Sequence, residues 1–389
     1  MASGLIGALI GSIGFSTPRR SRILLLDTPD SPLRKLVLEG LDYAFLDCVR
    51  DLGHLAPVVL LRMVKNIVRV DWRYVFYCLR KGSLGGLFNQ LYMVYLLSCV
   101  EYIDPKVVIT FLDNSWFFHA ISRIHRKAEF FAVQNGGRSI GCVSVSLPPA
   151  PNPAHHISMP HLFCFGEYEA DLYGRYGHKI DHFHPVGPLI GSYYLSQRSP
   201  VPAIDFDLCL VSQWRAGYMR TEHNPGMRRM VETLDDFLAR YVKERSLRLC
   251  VAACGSDPLE TKHFVKTYGA SAHIVPSDRE KMSTYGAMDR SAVIVAVCST
   301  ASLEALGWGK KVLFCNLLAD PASYMPAEGI WSLTEASYDK FKKKLDYLRA
   351  LSDDEYRRVS GKFASHAVHY DLKTPAHQSI RKMLVAAAA

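Results

Sequence analysis

The chain has 389 residues, 49% of them hydrophobic and 21% charged, which excludes a disordered majority and leaves room for two domains of ordinary size. A formal charge of +9 suits anionic partners such as nucleotides, acidic sugars or phospholipid headgroups. The basic residues are scattered, with no arginine-rich tract, so nucleic acid is not an expected partner.

The first 17 residues carry no charge, include Leu5-Ile6-Gly7-Ala8-Leu9-Ile10, and are followed by Arg19, Arg20 and Arg22. A signal peptide places its positive charges before the apolar run, and a bilayer span needs ~20 apolar residues. Residues 1–21 therefore fit an interfacial anchor whose arginines meet anionic headgroups, or a plain disordered leader. Ile23-Leu24-Leu25-Leu26-Asp27 predicts a first strand, and residues 31–52 a helix entered through Ser31-Pro32. Residues 60–81 mix Arg62, Lys65, Arg69, Arg73, Arg80 and Lys81 with Val, Trp and Tyr. That mixture predicts a peripheral contact with the inner face of the cytoplasmic membrane, and not a span.

Residues 84–103 read as a long buried helix, 106–111 and 130–133 as strands, and 116–126 as the helix between them. A proline-rich loop covers 148–160 before Leu162-Phe163-Cys164-Phe165 resumes the sheet. Alternating strands and helices predict a parallel sheet with helices on both faces. The first Rossmann-like domain thus spans 22–190, and 191–204 links it to a second, 205–335. There, strands at 207–212, 247–252 and 272–275 alternate with helices at 227–245 and 259–268. Residues 336–389 read as basic C-terminal helices. The fold class is α/β, two Rossmann-like domains facing across a cleft.

Ten cysteines include Cys209, Cys250, Cys298 and Cys315 in or beside apolar runs, which predicts buried thiols in a reducing, cytoplasmic setting. No CxxC pair or Cys/His spacing calls for zinc. Asp205-Phe206-Asp207 matches an Asp-x-Asp metal pattern, but it opens a strand where a metal site would close one. No metal and no cofactor is expected.

The most informative stretch runs from Ser299 to Lys311, between the apolar runs Ala292-Val293-Ile294-Val295-Ala296-Val297 and Val312-Leu313-Phe314-Cys315. It reads as a strand, a helix opened by Ser299 and Thr300, a Gly break and another strand. Unpaired amides and the positive dipole end meet at such a helix start and can hold an anion. Glu304, one turn on from Thr300, is placed to accept from ribose hydroxyls. The plainer reading is an ordinary N-cap followed by a solvated glutamate.

Ligands of paired α/β domains bind at the carboxyl ends of the strands. Polar clusters fall there: Asp113-Asn114, Gln134-Asn135-Gly136-Gly137-Arg138, Gly166-Glu167-Tyr168, Ser212-Gln213-Trp214-Arg215 and Gly255-Ser256-Asp257. Taken singly, each is also an ordinary turn.

The segments 107–114, 133–138, 211–214 and Tyr285-Gly286-Ala287-Met288-Asp289-Arg290-Ser291, together with the Ser299–Lys311 motif, resemble bacterial surface-carbohydrate (capsule and lipopolysaccharide) glycosyltransferases of GT-B-like fold, similar to retaining β-Kdo transferases. The resemblance covers residues 20–335 and implies that Ser299 and Thr300 hold donor phosphate and Glu304 holds ribose. It further implies that Ser212, Gln213 and Arg215 face the same nucleotide. The donor it implies is a nucleotide sugar, such as CMP-Kdo. The acceptor is a surface polysaccharide or lipid-linked glycan. Asp113 and Glu167 are the catalytic carboxylates to test, and Gln134, Asn135 and Arg138 the substrate side. Arg138 and Arg215 can pair with an acidic sugar's carboxylate, or form ion pairs within the fold. Lys310 and Arg279 are candidates to neutralise the leaving phosphate. Three rivals keep the architecture and change the activity: a nucleotide-sugar epimerase, a CDP-glycerol phosphotransferase and a non-enzymatic assembly protein.

Overall fold

The computed structural model describes residues 13–29, 33–49, 52–138, 157–175, 178–198, 200–216, 225–320, 323 and 328–389. Residues 1–12 of the leader and most of the proline-rich loop fall outside them. The apolar runs form two six-stranded sheets in which every pairing is parallel.

The first sheet contains β1 (Ile23–Asp27), β2 (Tyr43–Asp47), β3 (Val107–Thr110), β4 (Glu129–Val133), β5 (Ser158–Cys164) and β6 (Lys179–Pro185), in the order β2-β1-β3-β4-β5-β6. The second contains β7 (Phe206–Val211), β8 (Leu249–Ala252), β9 (His273–Val275), β10 (Ser291–Ala296), β11 (Lys311–Cys315) and β12 (Ser332–Leu333), in the order β12-β11-β10-β7-β8-β9. Successive side chains of β1 feed opposite faces, as a pleated strand requires. Leu24 and Leu26 pack under the long helix Leu84–Ile103, while Ile23 and Leu25 meet Ile380 and Leu384 of the closing helix Ala376–Ala388.

Three elements differ from expectation. Residues 31–52 are not one helix: the helix Leu33–Leu38 stops before Gly40, whose φ of 72° is left-handed, and β2 follows. Alternating burial along β2, with Ala44 and Leu46 inward, is the strand signal that the run of Leu and Val concealed. β6 and β12 were not expected either. β6 is an edge strand rich in His and charge, and β12 is two residues long.

The stretch read as a linker carries the helix Leu189–Gln197, with Leu189, Gly191 and Ser192 buried. The chain then crosses back. His369 N donates to Phe165 O at 2.7 Å and Ala376 N to Ser192 Oγ at 2.9 Å. Gly187, at φ 89°, leaves room for this crossing, because a Cβ there would sit 2.2 Å from His369 O. Arg22 Nη1 donates to Ala389 O at 3.0 Å and Arg381 Nη1 to Val37 O at 3.0 Å, fixing the last helix to the first sheet.

Leu384→Ala is expected to lower stability by about 2–5 kcal/mol in urea denaturation, since it empties a fully buried site. A loss within about 0.5 kcal/mol, the range of a surface change, would separate this helix from the first domain's core.

Candidate functional site

The carboxyl ends of β4 and β10 meet between the two domains. After β10 the backbone turns at Ser299, which caps the helix Thr300–Gly307 in an extended conformation without spending its hydroxyl on the cap. Thr300 Oγ1 accepts from Gly137 N at 2.9 Å, so a side chain of the second domain reaches the loop of the first. The first-turn amides of Thr300, Ala301 and Ser302 have no intrahelical acceptor, as at any helix start. Ser302 points inward, and its buried hydroxyl has no partner among the described residues.

Glu304 sits deeper. Its Oε2 accepts from Tyr285 Oη at 2.8 Å, its carboxylate also accepts from Gly191 N, and its main-chain oxygen accepts from Tyr370 Oη at 3.2 Å. A Cβ on Gly191 would stand 2.4 Å from Oε2, so only glycine admits this approach of the interdomain helix. Burial pushes the carboxyl up to about 8, against the lowering effect of those two hydrogen bonds. Glu304 therefore faces the interdomain helix, and a ribose would have to compete with Tyr285 for it.

On the first domain, Asp113 is fully buried, pairs with Arg138 and accepts from Asn135 N at 3.2 Å. Arg138 also donates to Asn135 Oδ1 at 3.3 Å. Burial opposes the guanidinium's charge, but Asp113 outweighs it and holds Arg138 above its ordinary value. Gln134 braces the neighbouring loop: its Nε2 donates to Glu169 Oε1 at 2.9 Å, and its Oε1 accepts from Phe165 N at 2.9 Å. Glu169 completes the brace through Gly166 N at 3.1 Å, and burial raises its carboxyl to about 7. Glu167, two residues earlier, is exposed, and its carboxylate has no hydrogen-bond partner among the described residues. Glu169 escaped the sequence reading, which stopped at Gly166-Glu167-Tyr168. Its signal was the first-turn position of the helix Tyr168–Arg175, which turns it inward.

On the second domain, Ser212 Oγ donates to the buried Glu260 Oε1 at 2.6 Å, and Glu260 also takes Cys254 N and Gly255 N at 2.8 and 3.0 Å. Gln213 clasps Cys298, accepting from its N at 2.6 Å and donating to its O at 3.2 Å. Both residues thus tie loops together and set the position of Ser299. Arg215 is exposed, with Nε on Cys254 Sγ at 3.3 Å. Lys310 lies elsewhere than expected: its Nζ is 3.2 Å from Asp289, which Arg198 also pairs at 2.9 Å. Asp205 pairs with Arg290, and Asp207 accepts from Arg248 N at 2.8 Å, so the Asp-x-Asp match serves the start of β7. Among the described residues no cluster of three or more His, Cys, Asp or Glu could hold a metal.

Residues 131–383 match the model of the "putative O-antigen biosynthesis protein" family, which is more than half of the chain. The chain belongs to this family. No curated protein sequence matches it. Among solved structures it is similar to S. aureus MnaA in complex with UDP, at a TM-score of 0.57 and 12% identity over 94% of this chain and 95% of that one. It is also similar to UDP-GlcNAc 2-epimerase from Neisseria meningitidis bound to UDP-GlcNAc, at a TM-score of 0.51 and 13% identity over 94% and 98%. At such identities the likeness establishes the fold, a GT-B-like pair of Rossmann-like domains with C-terminal helices.

The raised Glu304 carboxyl has a pH signature. Its contribution to stability is complete below its ordinary 4.5 and is lost as pH rises through about 8, because unfolding then releases a proton held only in the folded state. Glu304→Gln keeps a neutral side chain of the same shape. The wild-type melting temperature should therefore fall relative to this variant between those pH values, and a difference independent of pH would contradict the assignment.

Proposed function

We propose that this protein is a glycosyltransferase of surface-polysaccharide assembly that takes its sugar from a nucleotide donor at the Thr300–Gly307 helix start. The observation that carries the reading is the hydrogen bond between Thr300 Oγ1 and Gly137 N, which sets a helix N-terminus without a side-chain capping bond against a glycine loop of the facing domain. Donor phosphate accepts from the first-turn amides and the hydroxyls of Ser299 and Thr300. The Gly136-Gly137 loop admits the sugar, and the Asp113–Arg138 pair keeps that loop in place. In the transfer, the acceptor's hydroxyl oxygen bonds to the anomeric carbon and gives its proton to a base while the bond from that carbon to phosphate oxygen breaks, and the departing charge is met by the helix dipole. Membership of the O-antigen family and the nucleotides bound by the two similar structures support this class of donor.

Glu167 is the carboxylate left available to take the acceptor's proton or to attack the anomeric carbon. Asp113, bound to Arg138, acts as a positioning residue. A CMP-linked acidic sugar such as Kdo is the finer donor reading, and rests on the basic charge of the chain and the exposed Arg215. The donor is substrate, so this chemistry needs no resident cofactor. A second reading, nucleotide-sugar epimerisation, is favoured by the likeness to the N. meningitidis UDP-GlcNAc 2-epimerase. Release of altered free sugar without an acceptor would select it.

Thermal-shift titrations with CMP, CDP, UDP and GDP read the base and phosphate count directly. Thr300→Val should weaken the preferred nucleotide by about 1–3 kcal/mol. A folded Thr300→Val protein that binds as tightly as wild type would remove the phosphate site. Glu167→Gln should cut turnover by about 100-fold or more while leaving nucleotide affinity unchanged. Unaltered turnover would exclude Glu167 from the chemistry.

A further inference from the structure

Between β2 and the long helix Leu84–Ile103 the chain makes an excursion through two helices, Pro57–Asn66 and Trp72–Arg80, joined by the short 3₁₀ turn Ile67–Arg69. Both helices expose apolar side chains that a domain surface ordinarily hides. Leu61 and Val64 are 72% exposed, Val68 is 74% and Leu84 is 77%, and the aromatic rings of Trp72 and Phe76 stand out beside them. Single exposed apolar residues are normal, but a contiguous set marks a contact surface.

The charge on this surface has one sign. Residues 57–84 hold six basic residues and a single acid, Asp71. Asp71 is spent capping the second helix, accepting from Arg73 N and Tyr74 N. Glu101 pairs with Arg69 at 2.7 Å and lies 3.9 Å from Arg62. Lys65, Arg73, Arg80 and Lys81 are exposed and make no ion pair among the described residues. Exposed apolar and aromatic side chains interspersed along the same two helices with lysines and arginines that make no ion pair complement an anionic lipid surface. The rings enter the headgroup boundary, and the long basic side chains reach the phosphates.

The position of the surface follows from topology. Tyr92 Oη of the long helix donates to Asp47 O at the carboxyl end of β2. Leu84 lies eight residues earlier, about 12 Å further out at the helical rise. The Pro57–Asn66 helix instead runs back along the long helix, with Asn66 Nδ2 donating to Ser98 Oγ at 3.1 Å and Arg69 pairing with Glu101, so the surface flanks the outer side of the first domain. The N-terminal segment joins them: Gly14 N donates to Leu52 O at 3.0 Å and Leu55 N to Gly14 O at 2.8 Å, bringing the exposed Phe15 beside the first of these helices.

We infer that the Pro57–Asn66 and Trp72–Arg80 helices form a docking surface for an anionic phospholipid bilayer, lying in the interface without crossing it. No helix among the described residues is long and apolar enough to cross a membrane. The inference rests on exposure and charge, and does not depend on the transferase reading.

Flotation of the full chain with vesicles tests it. Wild type should bind phosphatidylcholine vesicles containing 30% phosphatidylglycerol and dissociate at 0.5 M NaCl, and should bind pure phosphatidylcholine weakly. Lys65→Gln, Arg73→Gln and Arg80→Gln combined should weaken binding roughly a hundredfold, as expected for three surface charges near an anionic leaflet. Val68→Ser with Phe76→Ser should abolish binding, while the urea midpoint of both variants stays at the wild-type value because the sites are exposed. Failure of wild type to bind, or equal binding by both variants, would overturn the inference. Equal binding to neutral and anionic vesicles would do the same. So would loss of a wild-type dimer in Val68→Ser/Phe76→Ser without any vesicle binding, since the surface would then serve a second copy of this chain.

Discussion

The return of the chain at residues 366–376 is the constraint on which the site depends. Two parallel sheets joined by one connection would be free to pivot, and a cleft between them would have no fixed width. Here the chain leaves the second domain, passes His369 N to Phe165 O, and inserts Ile380 and Leu384 into the core beneath β1 and β3. The two domains are thus held by two crossings, the helix Leu189–Gln197 and the closing segment. Phe165 and Gly166 sit at the carboxyl end of β5, so the second crossing anchors directly to a loop of the cleft. A Cβ on Gly166 would lie 2.4 Å from His366 O, which shows how little slack the anchor leaves.

Between the crossings the structure buries polar groups whose cost must be offset by specific partners. Asp289 does so for Arg198, Lys310 and Tyr194 together. Glu304 does so as a largely protonated acid held by Tyr285 and Gly191. A neutral Glu304 adds no like charge to an incoming phosphate, whereas an ionised one would repel it across a poorly screened interior. Desolvation at the interdomain contact and tolerance of an anion at the helix start are therefore compatible, and one raised carboxyl serves both.

How much of this was legible follows from what each residue type announces. β1, β3, β4, β7 and β10 could be read because strands covered on both faces are continuous apolar runs. β6 could not, because its Lys, Asp and His residues are those of an exposed edge. The helix start at Ser299 and the five polar clusters were legible because a strand-then-turn pattern forces such residues to the carboxyl edge. Their partners were not. Nothing in Ser212 or Gln213 reveals that Glu260 and Cys298 will occupy them, since those contacts span 48 and 85 residues. The same holds for Glu167 and Glu169, where two residues of helical phase decide which carboxylate is buried and which meets solvent.

These pairings narrow what can stabilise negative charge in the cleft. Lys310, within the motif itself, is held by Asp289, and Arg138 is held by Asp113. Freeing Arg138 for a ligand would leave the buried Asp113 without its counter-ion, at a cost of several kcal/mol, and freeing Lys310 would leave Asp289 to Arg198 alone. The first-turn amides of Thr300, Ala301 and Ser302 carry no such penalty. They are already desolvated in part, already oriented, and have no acceptor within the helix. An anion entering here gains fixed dipoles without breaking an existing ion pair. In the proposed reading, preorganised amides at this helix start, joined by the hydroxyls of Ser299 and Thr300, are thus the groups that meet the donor phosphate without breaking an ion pair.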